Sequence, residues 1–363
     1  MEFGLSDEQK MLQESVKRFV EAQVPLDRVR EIAETRTGFD TQIWNGLVEL
    51  GVTAVLVPEE QGGAGLGGFE AALVQECLGW GVVPAPFAAT AMMAPVAIRE
   101  AASPEQQSDW LARIATGDVR IGVGLAEVVG AREGAELKLQ SGKLSGKALF
   151  VLDAQSADHL LLAVGANTLA LVDARANGVE ITPLNGIDRT RVFAEVQLDG
   201  SACELLGGEG NAAGAIQKAL DMGRVALAAD NLGAAQHMIE KTVAYSLERQ
   251  QFKRVIGSFQ GYKHMCAEMA ADVEPARSLV WYAAHCQSAI PADASVMACH
   301  AKAHLAEVCT EVANKATLGH GGMGFTDLLG LHYWFKRIGY NRQVLGGPEA
   351  VRAQAAALQG LAA

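Results

Sequence analysis

Four side chains in the C-terminal half of the chain could together bind a pyrophosphate and a nucleobase. The segment LERQQFKRVIGSFQGYKHMCAEMA at 247–270 places them around a turn between two long helical patterns, at Arg249, Phe252, Phe259 and Gln260. Arginine can form paired hydrogen bonds to a pyrophosphate, an aromatic ring can lie against adenine, and a glutamine amide both donates and accepts. A solvated basic helix end would use the same residue types. Composition leaves both interpretations open.

A glycine-rich stretch follows later in the chain. LGHGGMGFTD at 318–327 places His320, Gly321, Gly322 and Gly324 in a loop, before a helical pattern that is predicted to start near Asp327. Glycines at such positions let the backbone approach a ligand closely. A plain turn between two helices would explain the same residues.

Two other patterns match known motifs only formally. The run GAGLGG at 63–68 fits GxGxxG, but no alternating strand and helix pattern surrounds it, which favours a flexible loop. His300 and His304 stand four residues apart, as metal ligands on a helix do. Ala301 occupies the place of the glutamate in HExxH, so we interpret them as ordinary helix histidines and expect no metal site.

The last helical region is interrupted within NRQVLGGPEAVR at 341–352. Glycine permits positive φ, and proline can begin a helix but not sit inside one. Gly346, Gly347 and Pro348 therefore mark a turn between two helices, which we call the late turn. A turn by itself requires no chemistry.

The bulk composition limits the classes of partner. The chain has 363 residues, 50% of them apolar and 20% charged, which is typical of a globular protein of two or three domains. A formal net charge of -12 would repel phosphate backbones and anionic lipid, so neither nucleic acid nor a membrane surface is an expected partner.

Targeting patterns and cysteine spacing indicate the compartment. MEFGLSDEQK has no basic region followed by an apolar one, and no later apolar run could span a bilayer. The six cysteines show no CxxC spacing, which favours reduced thiols. We therefore expect a cytoplasmic protein.

Periodicity divides the chain into three domains. Ser6 and Gln9 form a capping-box pattern before an amphipathic helix, and helices joined by loops continue through 1–117. Short apolar or alternating runs separated by Gly, Asn and Asp predict a β-domain over 118–207. Ala-, Leu- and Met-rich helical patterns return over 208–363, as in a helical bundle.

The segments ERQQFKRVIGSFQ and HGGMGFT, in this order on a helix–sheet–helix chain, resemble the acyl-CoA dehydrogenase family. The resemblance extends to LSDEQKMLQESVKRFV, VPEEQGGAGLG and LDMGRVALAADNLGAAQ. It implies an α+β fold with an N-terminal helical domain, a central β-barrel-like domain and a C-terminal four-helix bundle. It also implies FAD, an acyl-CoA substrate, and electron-transfer flavoprotein as the electron acceptor.

In this family the FAD site is shared by two chains. The residues that match the part holding the ADP half are Arg249, Phe252, Phe259, Gln260, Gly321 and Gly322, whereas Leu318 stands where the family usually has glutamine. Segments like TEPxxGSD and WITN from the other chain hold the flavin ring. AEVVGAREG at 126–134 and FVLDA at 150–154 correspond to them and lack most of their threonine, serine and tryptophan groups.

The resemblance also places the catalytic base. Most members carry a glutamate in the late turn, and others carry it on the first long C-terminal helix immediately before an arginine. The corresponding residues here are Gly346 and Gly223, and glycine has no side-chain proton acceptor. Asp221 and Arg224 border the second position and are predicted to line an acyl-CoA pocket, with a structural ion pair as the alternative.

Three hypotheses follow from this resemblance. The leading one is the subunit without a base in a heterotetrameric FAD-dependent acyl-CoA dehydrogenase acting on bulky acyl-CoAs, such as steroid side-chain thioesters, with a related subunit carrying the glutamate. The second is a self-sufficient homo-oligomer with Glu349 or Asp327 as a relocated base. The third is a flavin-free scaffold or acyl-CoA-binding protein, against which the retained ADP-half residues argue.

Overall fold

The computed structural model describes residues 4–130 and 135–361. The N-terminal helices are α1 (Asp7–Gln23), α2 (Leu26–Thr35), α3 (Thr41–Glu49), α4 (Gly68–Trp80), α5 (Ala94–Ala101) and α6 (Pro104–Ala115), and a π-helical segment, Ala88–Met93, leads into α5. The predicted capping box starts α1 and is confirmed, because Ser6 Oγ accepts from the backbone N–H of Gln9 while Gln9 Oε1 accepts from that of Ser6.

The central domain is an eight-stranded mixed sheet. Its strands, in chain order, are β1 (Ile121–Gly124), β2 (Glu136–Gln140), β3 (Lys143–Leu152), β4 (His159–Val164), β5 (Thr168–Asp173), β6 (Val179–Pro183), β7 (Phe193–Ala202) and β8 (Glu204–Leu206). A short helix, α7 (Ala126–Gly130), lies between β1 and β2. The order of the strands in the sheet is β6-β7-β3-β1-β4-β5-β8, with β2 paired to β3. The β1–β4 pair is parallel and the others are antiparallel. The expected barrel-like domain is therefore a sheet whose path ends at β6 and β8.

The C-terminal domain is helical. Its helices are α8 (Ala213–Glu248), α9 (Gln260–Ala289), α10 (Ala294–Gly319), α11 (Leu331–Gln343) and α12 (Pro348–Leu358), and a small hairpin of β9 (Gln250–Gln251) and β10 (Arg254–Val255) connects α8 to α9. Helices α8 to α11 pack together as a bundle, and α12 packs on α10. Within the described residues, no helix is long and apolar enough to cross a membrane.

A buried ionic network joins the sheet domain to the bundle. Arg337 Nε on α11 donates to Asp188 Oδ2 at 2.7 Å, and Arg191 Nη2 donates to Asp230 Oδ1 on α8 at 3.0 Å. All four side chains are at most 4% exposed. Although burial opposes ionisation, the two arginines lower the pKa of Asp230. Two cations balancing two carboxylates in a dry interior fix the register between the domains, because an unpaired member would be costly.

The helix that follows the glycine-rich loop begins later than predicted. We expected its start near Asp327, but α11 begins at Leu331 after Gly330, which has a φ of 64°. Asp327 instead lies in the preceding turn, where its carboxylate accepts from His332 Nε2 at 2.8 Å and lies 3.3 Å from Arg30 Nε. The left-handed Gly330 interrupts the helical pattern that the sequence extends across it.

Candidate functional site

The residues predicted to hold the ADP half of a dinucleotide surround one cleft. This cleft, of about 740 Å³, lies between the β9–β10 hairpin and the loop that ends α10. Its lining includes five of the six predicted residues, namely Arg249, Phe252, Phe259, Gly321 and Gly322. Gln260, the sixth, is the exposed first residue of α9, and its chain neighbours Phe259 and Gly261 line the cleft. The structure thus brings together residues more than 60 positions apart.

The hairpin presents an aromatic ring and a free guanidinium. Phe252 and Lys253 have φ values of 53° and 63°, as a two-residue hairpin turn requires. Phe252 is 88% exposed, and its ring meets that of Phe259 edge to face at 6.2 Å. Arg249 follows the end of α8, and among the described residues its guanidinium has neither a hydrogen bond nor an ion pair. Both groups are available to a ligand in the cleft.

The opposite wall of the cleft is the glycine-rich loop. His320 is buried, its Nδ1 lies 2.8 Å from the carbonyl of Ala316, and its ring stacks on Tyr245 at 4.6 Å. Burial lowers the pKa of His320, which disfavours the charged imidazolium. Gly321 has a φ of 58°, and apart from the chain neighbours no atom of the described residues lies within 4 Å of the Cβ position of Gly321 or Gly322. The loop is therefore anchored by His320 and open to the cleft at its two glycines.

The stretches that correspond to the flavin-ring segments carry different chemistry. Residues 131–134 of AEVVGAREG lie outside the described residues. In FVLDA, Phe150 meets Phe193 edge to face at 5.5 Å, and Phe193 stacks on Tyr340 at 5.3 Å. Asp153 is 8% exposed, and burial raises its pKa to about 6 despite the nearby arginines Arg191 and Arg337. Apolar rings and one buried carboxyl group stand where the resemblance would require small hydroxyl donors.

The predicted acyl-CoA residues on α8 are buried and internally bonded. Asp221 is 2% exposed and accepts from Gln217 Nε2 at 2.8 Å and from Ser295 Oγ at 2.5 Å, and burial raises its pKa. Arg224, also 2% exposed, donates to the carbonyl of Leu345 at 3.1 Å and to Cys299 Sγ at 3.2 Å. Among the described residues, Asp221 and Arg224 form no ion pair with each other, although the charge of Arg224 partly offsets the effect of burial on the pKa of Asp221.

Both glycines at the base positions are closely packed. A Cβ on Gly223 would lie 2.6 Å from Leu345 Cδ1 and 2.8 Å from Met93 Sδ. Gly346 has a φ of 104°, and its Cβ would lie 2.9 Å from Val351 Cγ2. Real Cβ atoms essentially never approach other atoms this closely. Neither position can hold a glutamate without local rearrangement.

The two residues considered as relocated bases lie elsewhere. The Glu349 side chain is 77% exposed, and its carboxylate is 3.6 Å from Arg342 Nη2 on the surface. Asp327 faces His332 and Arg30, and its side chain is 62% exposed. Both side chains are therefore mostly exposed, in contrast to the packed surroundings of Gly223 and Gly346.

Lys302 is a functional candidate that the motif search missed. Its ammonium group is 1% exposed and donates to the carbonyls of Arg342 and Gly346, each at 3.0 Å. Burial, with smaller contributions from Arg224 and Arg342, lowers its pKa to about 7. The sequence does carry a signal, since Lys302 is the sole Lys, Arg, Asp or Glu between Ser295 and Ala306.

Comparisons with known proteins agree with this architecture. The N-terminal domain model of acyl-CoA dehydrogenases matches residues 6–118, and the C-terminal domain model matches residues 208–359. A protein described as acyl-CoA dehydrogenase IpdE2 from Mycolicibacterium smegmatis is 32% identical over 95% of this chain and 96% of its own length.

Two solved structures share the whole fold. A variant of the Tcur3481-Tcur3483 steroid ACAD superposes with a TM-score of 0.87 at 28% identity, covering 98% of each chain. The ChsE4-ChsE5 complex from Mycobacterium tuberculosis gives a TM-score of 0.89 at 24% identity, covering 99% of each chain. With both family models and a relative above 30% identity spanning nearly its entire length, the chain belongs to the acyl-CoA dehydrogenase family.

Proposed function

We propose that this chain is the subunit without a catalytic base in a heteromeric, FAD-dependent acyl-CoA dehydrogenase. The assembly would introduce an α,β double bond into an acyl-CoA thioester, with the glutamate supplied by a related subunit. One observation carries the proposal: Arg249 lies in an open cleft and has no hydrogen bond or ion pair from its guanidinium among the described residues, while both base positions are closely packed glycines. Removal of an α-proton needs an acceptor within hydrogen-bond reach, and Gly223 and Gly346 provide none.

The cleft fits the ADP half of FAD. Arg249 offers two parallel N–H donors to a pyrophosphate, Phe252 offers an exposed ring face to adenine, and Gly321 and Gly322 leave room for backbone approach. The N-terminus of the 30-residue helix α9 adjoins the cleft and adds a favourable field for negative charge. Leu318, which is 67% exposed, cannot replace the amide that the family usually has there.

The length of α8 supports a shared cofactor site. Gly223 and Arg249 stand 26 positions apart on this helix and its C-cap. At 1.5 Å per residue this separation is roughly 39 Å, which is longer than a dinucleotide can bridge. The cleft and the packed region around Gly223 therefore cannot serve the same FAD within one chain. In the assembly that we propose, a second chain brings its own flavin-ring segment and base to the cleft around Arg249.

The ring-holding half of the site is better assigned to the partner chain. When bound, FAD supplies a flavin ring that accepts a hydride from the β-carbon of the acyl group. The described parts of this chain's corresponding segments present Phe150 and the buried Asp153 in place of hydroxyl donors. In this chain, the role left to the ADP-half cleft is to bind and orient the cofactor.

We propose bulky acyl-CoAs, including steroid side-chain thioesters, as the substrate class, and electron-transfer flavoprotein as the electron acceptor. The support for the substrate class is the description of one relative as a steroid ACAD. The assembly that we propose is a heterotetramer with two copies of this chain and two copies of the base-bearing subunit.

The test begins with the visible absorption spectrum of this chain purified alone and together with the product of a neighbouring gene. Flavin that is retained only in the co-purified complex, with turnover of a steroid-side-chain thioester abolished when the partner's glutamate is changed, is the expected result. A yellow chain that is active alone would refute the proposal, and a colourless complex would favour the flavin-free scaffold.

Substitution of Arg249 tests the cleft itself. Arg249→Ala in the complex should weaken FAD binding by on the order of 10- to 100-fold, since charge-assisted hydrogen bonds contribute roughly 1.5–3 kcal/mol. The FAD affinity of Arg249→Lys should lie between those of the wild type and Arg249→Ala, because lysine keeps the charge but not the paired donors. Arg18→Ala, which removes an exposed arginine from α1, is the matched control. Unchanged flavin content of an intact Arg249→Ala complex after dialysis would remove Arg249 from the site.

A further inference from the structure

Leu345 occupies the space beside Gly223. Its Cδ1 would lie 2.6 Å from a Cβ on Gly223, and Met93 contacts the same point from the other side. Met93 ends the six-residue π-helical segment, which is buried throughout. Rare π-helical geometry tends to occur at functional sites. The side chains of Leu345 and Met93 therefore fill the space that a side chain at position 223, one of the two base positions of the family, would occupy.

The backbone of Leu345 is in an uncommon conformation. Its φ is 56°, in the left-handed region that bulky residues avoid. Such a conformation persists only where the surrounding structure enforces it. In the late turn, two buried basic side chains provide this restraint.

Arg224 and Lys302 bind the backbone on both sides of the Leu345 side chain. Arg224 Nε donates to the carbonyl of Leu345 at 3.1 Å, and Lys302 Nζ donates to the carbonyls of Gly346 and Arg342. Both side chains are at most 2% exposed. Hydrogen bonds to buried carbonyl groups are electrostatically stronger than hydrogen bonds in water, so they fix where the turn places its side chain.

We propose that Leu345 closes the acyl side of this chain and that Arg224 and Lys302 are the positioning residues that hold it closed. The ligand excluded is the apolar acyl group of an acyl-CoA. This inference rests on the proposed function: the assembly then binds its acyl-CoA only in the base-bearing subunit. Leu345 is half-buried, and removing its side chain would leave apolar space beside Gly223 and Met93 for the acyl chain.

The experiment measures how many acyl-CoA molecules each complex binds. Octanoyl-CoA is the probe, in anaerobic equilibrium dialysis against the purified complex, with both wild type and Leu345→Ala. We expect the variant to bind one additional equivalent per heteromeric pair. Leu358→Ala, which truncates a half-exposed leucine on α12, is the control for the same chemical change and should keep the wild-type equivalents.

Lys302→Met tests the positioning role independently of Leu345. Releasing the late turn should also add an equivalent, and the double variant with Leu345→Ala should bind no more than Leu345→Ala alone, because both changes act on one side chain. A merely structural role for Lys302 would change the melting temperature of the complex and leave the stoichiometry unchanged. That result would show that Lys302 does not position Leu345.

Two outcomes would overturn the closure of this chain. One is a wild-type complex that already binds the additional equivalent, and the other is an intact Leu345→Ala complex that gains none. Flavin content and partner-dependent turnover, measured on the same preparations, report on the proposed function separately. A flavin-free complex that gains octanoyl-CoA binding with Leu345→Ala would refute the proposed function and retain the closure.

Discussion

Replacing the buried lysine beside the late turn should change how stability depends on pH. Lys302 is 1% exposed and donates to two carbonyl groups, and among the described residues no carboxylate forms an ion pair with it. Burial lowers its pKa from 10.5 to about 7, and the positive charge of Arg224 and Arg342 contributes further. Lys302→Met keeps the chain length and removes the titrating group.

The magnitude follows from proton linkage. The unfolded chain binds the Lys302 proton up to a pKa of 10.5, whereas the folded chain releases it near 7. Between these values the unfolded state holds more protons, so the free energy of unfolding rises with pH. From about pH 6 to about pH 9, the wild type should gain roughly 3 kcal/mol relative to Lys302→Met. Loss of the two hydrogen bonds lowers the free energy of unfolding of the variant by a similar amount at both pH values. This contribution therefore cancels when the change between the two pH values is compared.

Urea unfolding of both proteins at the two pH values, followed by far-ultraviolet circular dichroism, measures this difference. Lys218→Met, which removes a half-exposed lysine from α8, is the control. If wild type and Lys302→Met gave parallel stability profiles from about pH 6 to about pH 9, the folded and unfolded states would bind the Lys302 proton equally. The assignment of a depressed pKa would then be wrong.

Two further predictions concern His237 and Gly223. His237 stacks on Trp334 at 4.2 Å, and among the described residues its buried ring nitrogens have no partner; burial lowers its pKa from 6.5 to about 3. Between these pKa values the unfolded state binds the His237 proton and the folded state does not, so the free energy of unfolding should fall as the pH drops from about 6.5 towards 3. His237→Leu should lose less stability than the wild type between about pH 6 and about pH 4.5, as measured by urea unfolding. A variant as acid-sensitive as the wild type would contradict this prediction. Gly223→Ala and Gly214→Ala both gain helix propensity, but only the Cβ at Gly223 meets Leu345 and Met93. Gly223→Ala should therefore be less stable than Gly214→Ala by about 1–3 kcal/mol, and equal stabilities would refute the packing.

The sequence predicted well what is encoded locally. The capping box at Ser6 depends on residues three positions apart, and the structure has both of its hydrogen bonds. Arg249, Phe252 and Phe259 lie within one short connection between two helices, so their spacing alone places them near each other. The fold followed from the order of helical and alternating patterns, and its family was confirmed by the comparisons.

Contacts between distant segments could not be predicted in the same way. Leu345 meets Gly223 across more than 100 residues, and no local pattern distinguishes a leucine that packs there from any other. The Asp188–Arg337 pair likewise joins a loop of the sheet domain to α11. The fate of Asp221 and Arg224 depended on the rotation of α8, which periodicity does not fix for a helix that is buried on most sides.

The structure disfavours a side chain at Gly346 and at Gly223 for two different reasons. At Gly346 the φ of 104° is a backbone conformation that side chains rarely adopt, and at Gly223 the backbone is ordinary but Leu345 and Met93 occupy the space. A glutamate introduced at Gly346 would therefore be strained whatever its neighbours, whereas one at Gly223 is excluded by packing that a second substitution could relieve. Arg224, which follows Gly223 on α8, donates a hydrogen bond to the carbonyl of Leu345 and so restrains the chain beside the late turn. Under the proposed function, we therefore expect that neither Gly223→Glu nor Gly346→Glu alone gives this chain acyl-CoA dehydrogenase activity without its partner, which turnover assays of the two variants would measure.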